Sequence, residues 1–401
     1  MQYAPIALFT YNRADHTKQA VESLLKNEEA KYSDLFIFSD GPKNEKAAEG
    51  VKANREYIRS LKNENETLTL RNADATKREK TPYENDNANL NHNLNLNENE
   101  NPEPLNCTAG AFVPAHEVSD LNSEALAEVL NQRETRLEPA CKASGLNQTL
   151  LPECKSRAFK SVTIIEREKN WGLANSLIAG ITEIVNKYGR VIVVEDDLIL
   201  SPYFLKFMND ALEKYQDEDR VASISAFLNP VEGEVPNTFF LRYFACWGWA
   251  TWKRGWDILI NDDRVLLKRL RWKKNDFNIG GTGPFYGILY CDKVGLNDSW
   301  AVRFYASQFL AGKLQLFPGK TMAVQTGTDG SGTHGTGVDH KYDNMQLCME
   351  PLKLGDIPIE ESKLMYNKFS EFYGKGQKRT IKERYVSIKS FVRRLLGIDY
   401  R

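Results

Sequence analysis

Glu195, Asp196 and Asp197 stand in succession directly after the apolar run Val191–Val194. Three neighbouring carboxylates at the end of a buried strand repel one another. They stay ionised near neutral pH only where a cation or hydrogen-bond donors compensate them. Open α/β sheets take their ligands at such strand ends, and a hard divalent ion, Mg²⁺ or Mn²⁺, suits a carboxylate pair that also holds a diphosphate. Acidic capping of the helix expected over Pro202–Tyr215 would account for one of the three acids at most. A second chemical signal is the stretch Phe244–Trp256, FACWGWATWKRGW. Aromatic faces stack on sugar rings, so Trp247, Trp249 and Trp252 are candidates for an acceptor platform, with a wall of the core as the alternative. Lys320 lies in PGKT, but position 314 is Leu where a phosphate-binding P-loop needs Gly, so that motif is rejected.

The elements that must position these residues alternate in type. Residues 4–12, APIALFTYN, read as a strand, followed by helical spacing through Val21, Leu24 and Leu25 and a second strand at Asp34–Phe38. Val162–Ile165, Arg190–Val194 and Val221–Ala226 read as strands, with helices over Asn170–Lys187, Pro202–Tyr215 and Ser299–Leu310 between or after them. That alternation predicts an α/β fold, Rossmann-like, with a mixed but mainly parallel sheet flanked by helices. From Asn63 to Asn106 the pattern stops: thirteen of the 44 residues are Asn, too polar a composition to offset the entropy of ordering. Residues 63–158 are therefore expected to be an Asn-rich, largely disordered insertion. It divides a catalytic domain made of 1–62 and 159–345, and joining Lys62 to Phe159 should leave that domain folded. Residues 346–401 are expected to form a C-terminal segment. In its last part, 375–401, nine Lys/Arg face two acids, and Ile381, Tyr385, Ile388, Val392 and Leu395 recur at helical spacing. A basic amphipathic helix of this kind can lie on an anionic membrane surface or simply pack on the domain.

Composition removes several classes. Over 401 residues, 53 Lys+Arg balance 54 Asp+Glu for a net charge of −1, so no global basic field gathers nucleic acid. No apolar run approaches the roughly 18 residues of a membrane span. The six cysteines show no CxxC spacing, which argues against a zinc knuckle or redox pair. With no signal-like N-terminus, the expected location is cytoplasmic, peripheral on the inner face of the membrane if the tail binds lipid.

Four blocks carry a resemblance: PIALFTYNR (5–13), FIFSDGP (36–42), NWGLANSLIAG…VIVVEDDLILSPYF (170–204), and LNDSWAVRFYAS with GTDGSGTH (296–307, 327–334). Together they resemble the GT-A type of nucleotide-sugar glycosyltransferase, in particular the N-acetylglucosaminyltransferase I-like group and bacterial sugar transferases of capsule and lipopolysaccharide assembly. The resemblance implies that Arg13 and Asp40 border the base and ribose of a UDP-sugar, with a turn salt bridge or Asx-turn as the alternative for each. It implies that Glu195 contacts the donor sugar, Asp196 the ribose or sugar, and Asp197 a Mn²⁺ or Mg²⁺ ion bridging the diphosphate. Asp298, two residues ahead of Trp300, matches the catalytic base of an inverting transfer, with capping of the helix that follows as its alternative. Arg303 is a weaker candidate for the diphosphate. His334, in the Gly-rich loop, is a candidate second metal ligand or a solvent-exposed loop residue. The activity implied is transfer of GlcNAc or a related hexose to a glycan or lipid-linked glycan. A sugar nucleotidyltransferase would share the sheet and the acids, but the first strand is followed by Thr10-Tyr11-Asn12-Arg13-Ala14-Asp15 and lacks its glycines. A catalytically silent carbohydrate-binding protein is the third reading.

Overall fold

The computed structural model describes residues 3–79, 158–327, 342 and 345–374. Its centre is an eight-stranded sheet in the order β3-β2-β1-β4-β8-β6-β9-β7. The strands are β1 (Ile6–Thr10), β2 (Asp34–Ser39), β3 (Ser161–Glu166), β4 (Arg190–Glu195), β6 (Val221–Ser225), β7 (Thr238–Leu241), β8 (Trp249–Trp252) and β9 (Leu314–Pro318). Strands β3, β2, β1 and β4 pair in parallel, as do β6 and β9, whereas β8 and β7 are antiparallel to their neighbours. The α/β class and the mainly parallel sheet are those expected from the sequence. A two-stranded ribbon, β5 (Leu198–Leu200) with β10 (Ala323–Gln325), leaves the end of β4.

Both faces of the sheet are covered, which is why its central strands β1, β2 and β4 read as nearly continuous apolar runs. Ile6, Leu8, Leu35, Ile37, Ile192 and Val194 point to one side, under α1 (Ala14–Leu25), α2 (Glu45–Glu79) and α4 (Phe204–Lys214). Their neighbours Ala7, Phe9, Phe36, Phe38, Val191 and Val193 point to the other. That side lies under α3 (Leu173–Tyr188), α5 (Lys253–Trp256), α6 (Asp263–Leu270), α8 (Phe285–Lys293) and α9 (Trp300–Leu310), with the short α7 (Lys274–Phe277) between α6 and α8. The period of two in a strand sends successive side chains to opposite layers. Among the described residues no helix is long and apolar enough to cross a membrane.

Two boundaries differ from expectation. Helix α2 does not end at Lys62 but continues to Glu79, so residues 63–79 are helical rather than the start of a disordered insertion. The physical reason is tertiary. Asn65 is 4% exposed, its amide donates to the Phe159 carbonyl (3.1 Å), and its carbonyl oxygen accepts from the Phe159 N–H (2.7 Å). An amide thus stands in for a strand neighbour at the entrance to β3. Ser60 donating to Glu64 and the Lys62–Glu66 pair at 3.9 Å carry the helix across the expected boundary. Joining Lys62 to Phe159 would delete this clamp. Residues 80–157, with Cys107, Cys141 and Cys154, lie outside the described residues, as does the tail 375–401. The second difference is the segment after 345. It belongs to the core rather than standing apart: Cys348 is buried, Leu352, Leu354, Ile357 and Ile359 pack on the sheet, and α10 (Lys363–Gly374) inserts Met365 and Phe369 beneath β7.

Asn65→Leu should cost about 1–3 kcal/mol, because both backbone groups of Phe159 would be buried without partners. Urea unfolding checks this; a loss below about 0.5 kcal/mol, the level of an ordinary surface substitution, would show that Phe159 finds other partners.

Candidate functional site

The chain leaves β1, forms β2 and β3 on one flank, and returns to place β4 on the other flank of β1. Between the C-terminal ends of β1 and β4 the connections diverge, and such a switch point opens a crevice for a ligand. Arg13 precedes α1 on one side of it, and Glu195, Asp196 and Asp197 end β4 on the other. The Arg13 guanidinium bonds Asp196 directly and reaches Asp197 Oδ2 at 3.1 Å. The Tyr11 N–H adds a 3.4 Å contact to Asp196. Sequence position alone could not say that Arg13 crosses to the acids, since 182 residues or more intervene.

One cation does not balance three carboxylates here. Burial, followed by the charges of Asp197 and Asp196, pushes Glu195 up to about 8. Burial also raises Asp196 to about 6, against the pull of Arg13. Burial opposes the charge of Arg13, yet Asp196 and Asp197 outweigh it and hold the guanidinium above its ordinary value. Arg13 Nη1 is buried and has no partner, so one of its donors remains unused. None of the three acids caps α4, whose N-cap is Tyr203 with no side-chain bond. Instead the β5–β10 ribbon folds residues 325–327 back over Asp197. Thr326 donates to the Asp197 carbonyl through its N–H (2.8 Å) and hydroxyl (3.1 Å), and Gln325 approaches Asp197 Oδ2 at 3.4 Å. At Gly327 a Cβ would lie 2.6 Å from Asp197 Oδ2, so only glycine lets this backbone come so close.

Asp40 has a different role from the one implied. Its Oδ1 accepts from the N–H groups of Gly41 (3.0 Å) and Trp171 (2.9 Å), and its Oδ2 from Trp171 (3.0 Å) and Gly172 (2.9 Å). These contacts use the about four lone-pair sites of a carboxylate, leaving none for a base or ribose. Asp40 fixes the turn that precedes α3 and carries Trp171, with the Arg167 guanidinium 3.6 Å from the indole centroid.

The platform of three Trp is corrected as well. Trp249 is fully buried, pairs in register with Val193 and stacks on Trp300 at 5.5 Å. Trp252 is buried with its indole N–H on the Leu212 carbonyl (3.1 Å). Both rings are core, so neither can meet a sugar. Trp247 is half-buried against Phe227 and Tyr342, at 4.4 and 5.1 Å between centroids.

Asp298 is not the cap of α9; Ser299 is, its hydroxyl accepting from the Val302 N–H. The Asp298 side chain is 58% exposed and accepts from Arg303 at 2.8 Å. Arg303 is buried and also faces Asp292 (3.7 Å) and Asp263 (4.0 Å), so it is committed to these acids and not free for a diphosphate. Asp292 and Asp263 were not legible as partners, since nothing in the spacing of residues 263, 292 and 303 announces contact. Burial raises Asp292 to about 6, with the Ser299 N–H and Arg303 pulling down and Asp263 pushing up. His334 lies outside the described residues. Among the described residues no group of three or more His, Cys, Asp or Glu is arranged to hold a metal. A small cleft lined by Arg242, Tyr243, Asp276, Glu361 and Tyr366 is separate chemistry, and the Arg242 guanidinium there already donates twice to Glu361 Oε2.

No protein-family model and no curated protein matches the chain. Among solved structures it is similar to apo UDP-glucose pyrophosphorylase, over 78% of this chain and 90% of that one, at 10% identity and a TM-score of 0.29. The same enzyme complexed with UDP-glucose aligns with equal coverage and TM-score at 8% identity. At that TM-score the likeness carries no argument about function.

A carboxyl raised by burial holds its proton longer folded than unfolded, so its contribution to stability is present below about pH 4 and lost as pH rises through about 6. Thermal melts from pH 4 to 7 should therefore show a smaller decline for Asp292→Asn than for the wild type; equal slopes would mean that Asp292 ionises freely.

Proposed function

We propose that the chain is an inverting, divalent-metal-dependent glycosyltransferase of the GT-A type that uses a UDP-sugar. The observation that supports this best is the charge balance at the switch point: Asp196 and Asp197 share a single guanidinium with Glu195 beside them in the chain, and a buried Arg13 donor is left over. A nucleoside diphosphate brings anionic oxygens for Arg13, and a hard cation brings the positive charge that the acids lack. Mg²⁺ and Mn²⁺ commonly bind through one or two carboxylates plus phosphate oxygens rather than in an all-protein cage. Asp197 would hold the ion, whose bound charge stabilises the departing diphosphate. Glu195 would contact donor-sugar hydroxyls and Asp196 the ribose, with Arg13 fixing the orientation of Asp196.

Asp298 supplies the remaining step in this reading. It takes the proton of the acceptor hydroxyl while that oxygen attacks the anomeric carbon from the face opposite the diphosphate. Its exposed carboxylate suits contact with an incoming acceptor, and Arg303 limits its rotation. The sugar is proposed as GlcNAc or a related hexose, and the acceptor as a glycan or lipid-linked glycan.

UDP release from UDP-sugars, with and without Mn²⁺, tests the reading directly. Asp197→Ala should abolish the metal-dependent activity; more than about a tenth of wild-type turnover, roughly 1.4 kcal/mol of barrier, would remove it as the main ligand. Asp298→Asn should lower turnover by about 10²–10⁴ with UDP affinity nearly unchanged. A parallel loss of UDP binding would place Asp298 on the donor. Pyrophosphate release from UTP and a sugar 1-phosphate, without UDP release, would establish the nucleotidyltransferase instead.

A further inference from the structure

Residues 264–274, RVLLKRLRWKK, hold six cations and no carboxylate. Helix α6 turns Leu266, Leu267 and Leu270 into the core and leaves Arg264, Lys268 and Arg269 exposed, followed by exposed Arg271, Lys273 and Lys274. The acids nearby are engaged elsewhere. Asp262 caps α6, Asp263 and Asp298 face Arg303, and Asp276 lies 3.9 Å from Arg242. Among the described residues none of the six cations forms an ion pair.

The same surface is unusually apolar for a charged one. Trp272 is 85% exposed, with the Arg271 guanidinium 4.4 Å from its ring centroid. Helix α8, which packs on α6, ends near exposed Tyr290, Val294 and Leu296 and exposed Lys293. With Val265, these make five of the eleven large apolar side chains left exposed among the described residues. They fall within 32 residues of sequence and beside the six cations, so chance scatter does not describe them.

We infer that this face, residues 264–274 with 290–296, docks on an anionic lipid surface. Lys and Arg at the headgroups gain from negative lipids, while Trp and aliphatic side chains enter the boundary of the acyl region. A polyanion such as nucleic acid would satisfy the cations but leave Val265, Val294 and Leu296 in water. Docking does not depend on the proposed activity. It does bear on it, because Asp298 follows Leu296 by two residues, and a lipid-linked acceptor would reach the base from this side.

The test uses the full chain and vesicles of phosphatidylcholine with about one third phosphatidylglycerol, since attraction to anionic lipid is the premise. Brominated acyl chains should quench Trp fluorescence in the wild type, and Trp272→Phe should remove that quenching while melting like the wild type. Lys268→Gln with Arg271→Gln should weaken sedimentation with the vesicles about 25-fold, at about fivefold per charge, and added salt should weaken the wild type likewise. Unchanged quenching in Trp272→Phe, or full binding by the double variant, would assign any lipid binding to residues outside this face and overturn the inference. Binding to single-stranded DNA without binding to the vesicles would overturn it in favour of a polyanion.

Discussion

Crowding of Glu195, Asp196 and Asp197 at one strand end, where a single guanidinium bonds two of them, is the constraint on which the site depends. Like charges at the end of a buried strand are unfavourable without compensation, and the fold answers with three devices. Arg13 reaches across from the end of β1, Tyr11 turns its backbone N–H to Asp196, and the β5–β10 ribbon returns residues 325–327 over Asp197. What these leave unbalanced, seen in the raised Glu195 and Asp196, is the electrostatic demand that a metal–diphosphate ligand would meet.

That arrangement needs the strand ends held still, and α2 supplies the hold along one face. Gly50 lets the helix approach the Asn12 carbonyl so closely that a Cβ would lie 2.6 Å from it. Asn54 donates to the Thr10 hydroxyl and the Tyr11 carbonyl, fixing the turn that launches Arg13. Arg55 donates to the carbonyls of Ser39, Asp40 and Arg167, tying the ends of β2 and β3 together, and Arg59 grips Glu166 in bidentate fashion. Asn65 closes the other end of β3. One helix therefore holds the C-terminal ends of three strands and, through Asn65, the start of β3, a contact that lies beyond Lys62.

A second centre sits around Arg303, where Asp263, Asp292 and Asp298 come from α6, α8 and the start of α9. A buried guanidinium shared by three acids orders the junction of these helices, and the exposed basic surface of α6 lies on the outside of the same junction. The proposed base and the proposed lipid-facing surface are thus parts of one helical layer, while the donor crevice belongs to the sheet.

The order of elements, the parallel half of the sheet and the acidic strand end were all legible in the sequence. They rest on local signals: short continuous apolar runs, helical spacing, and three acids in a row. Asn composition likewise marked where regular structure thins, but not where it stops, because burial of Asn65 against Phe159 outweighs a polar composition that argues against order. Tertiary structure alone decided which polar groups meet. Asp40 looked available for a nucleotide until its oxygens were found filled by Trp171 and Gly172, more than 130 residues away. Trp249 and Trp252 looked like a sugar platform, yet β8 runs through the centre of the sheet, where such rings can only be core. Residue type and spacing specify which chemistry is possible; contacts between distant segments determine which groups are free to perform it.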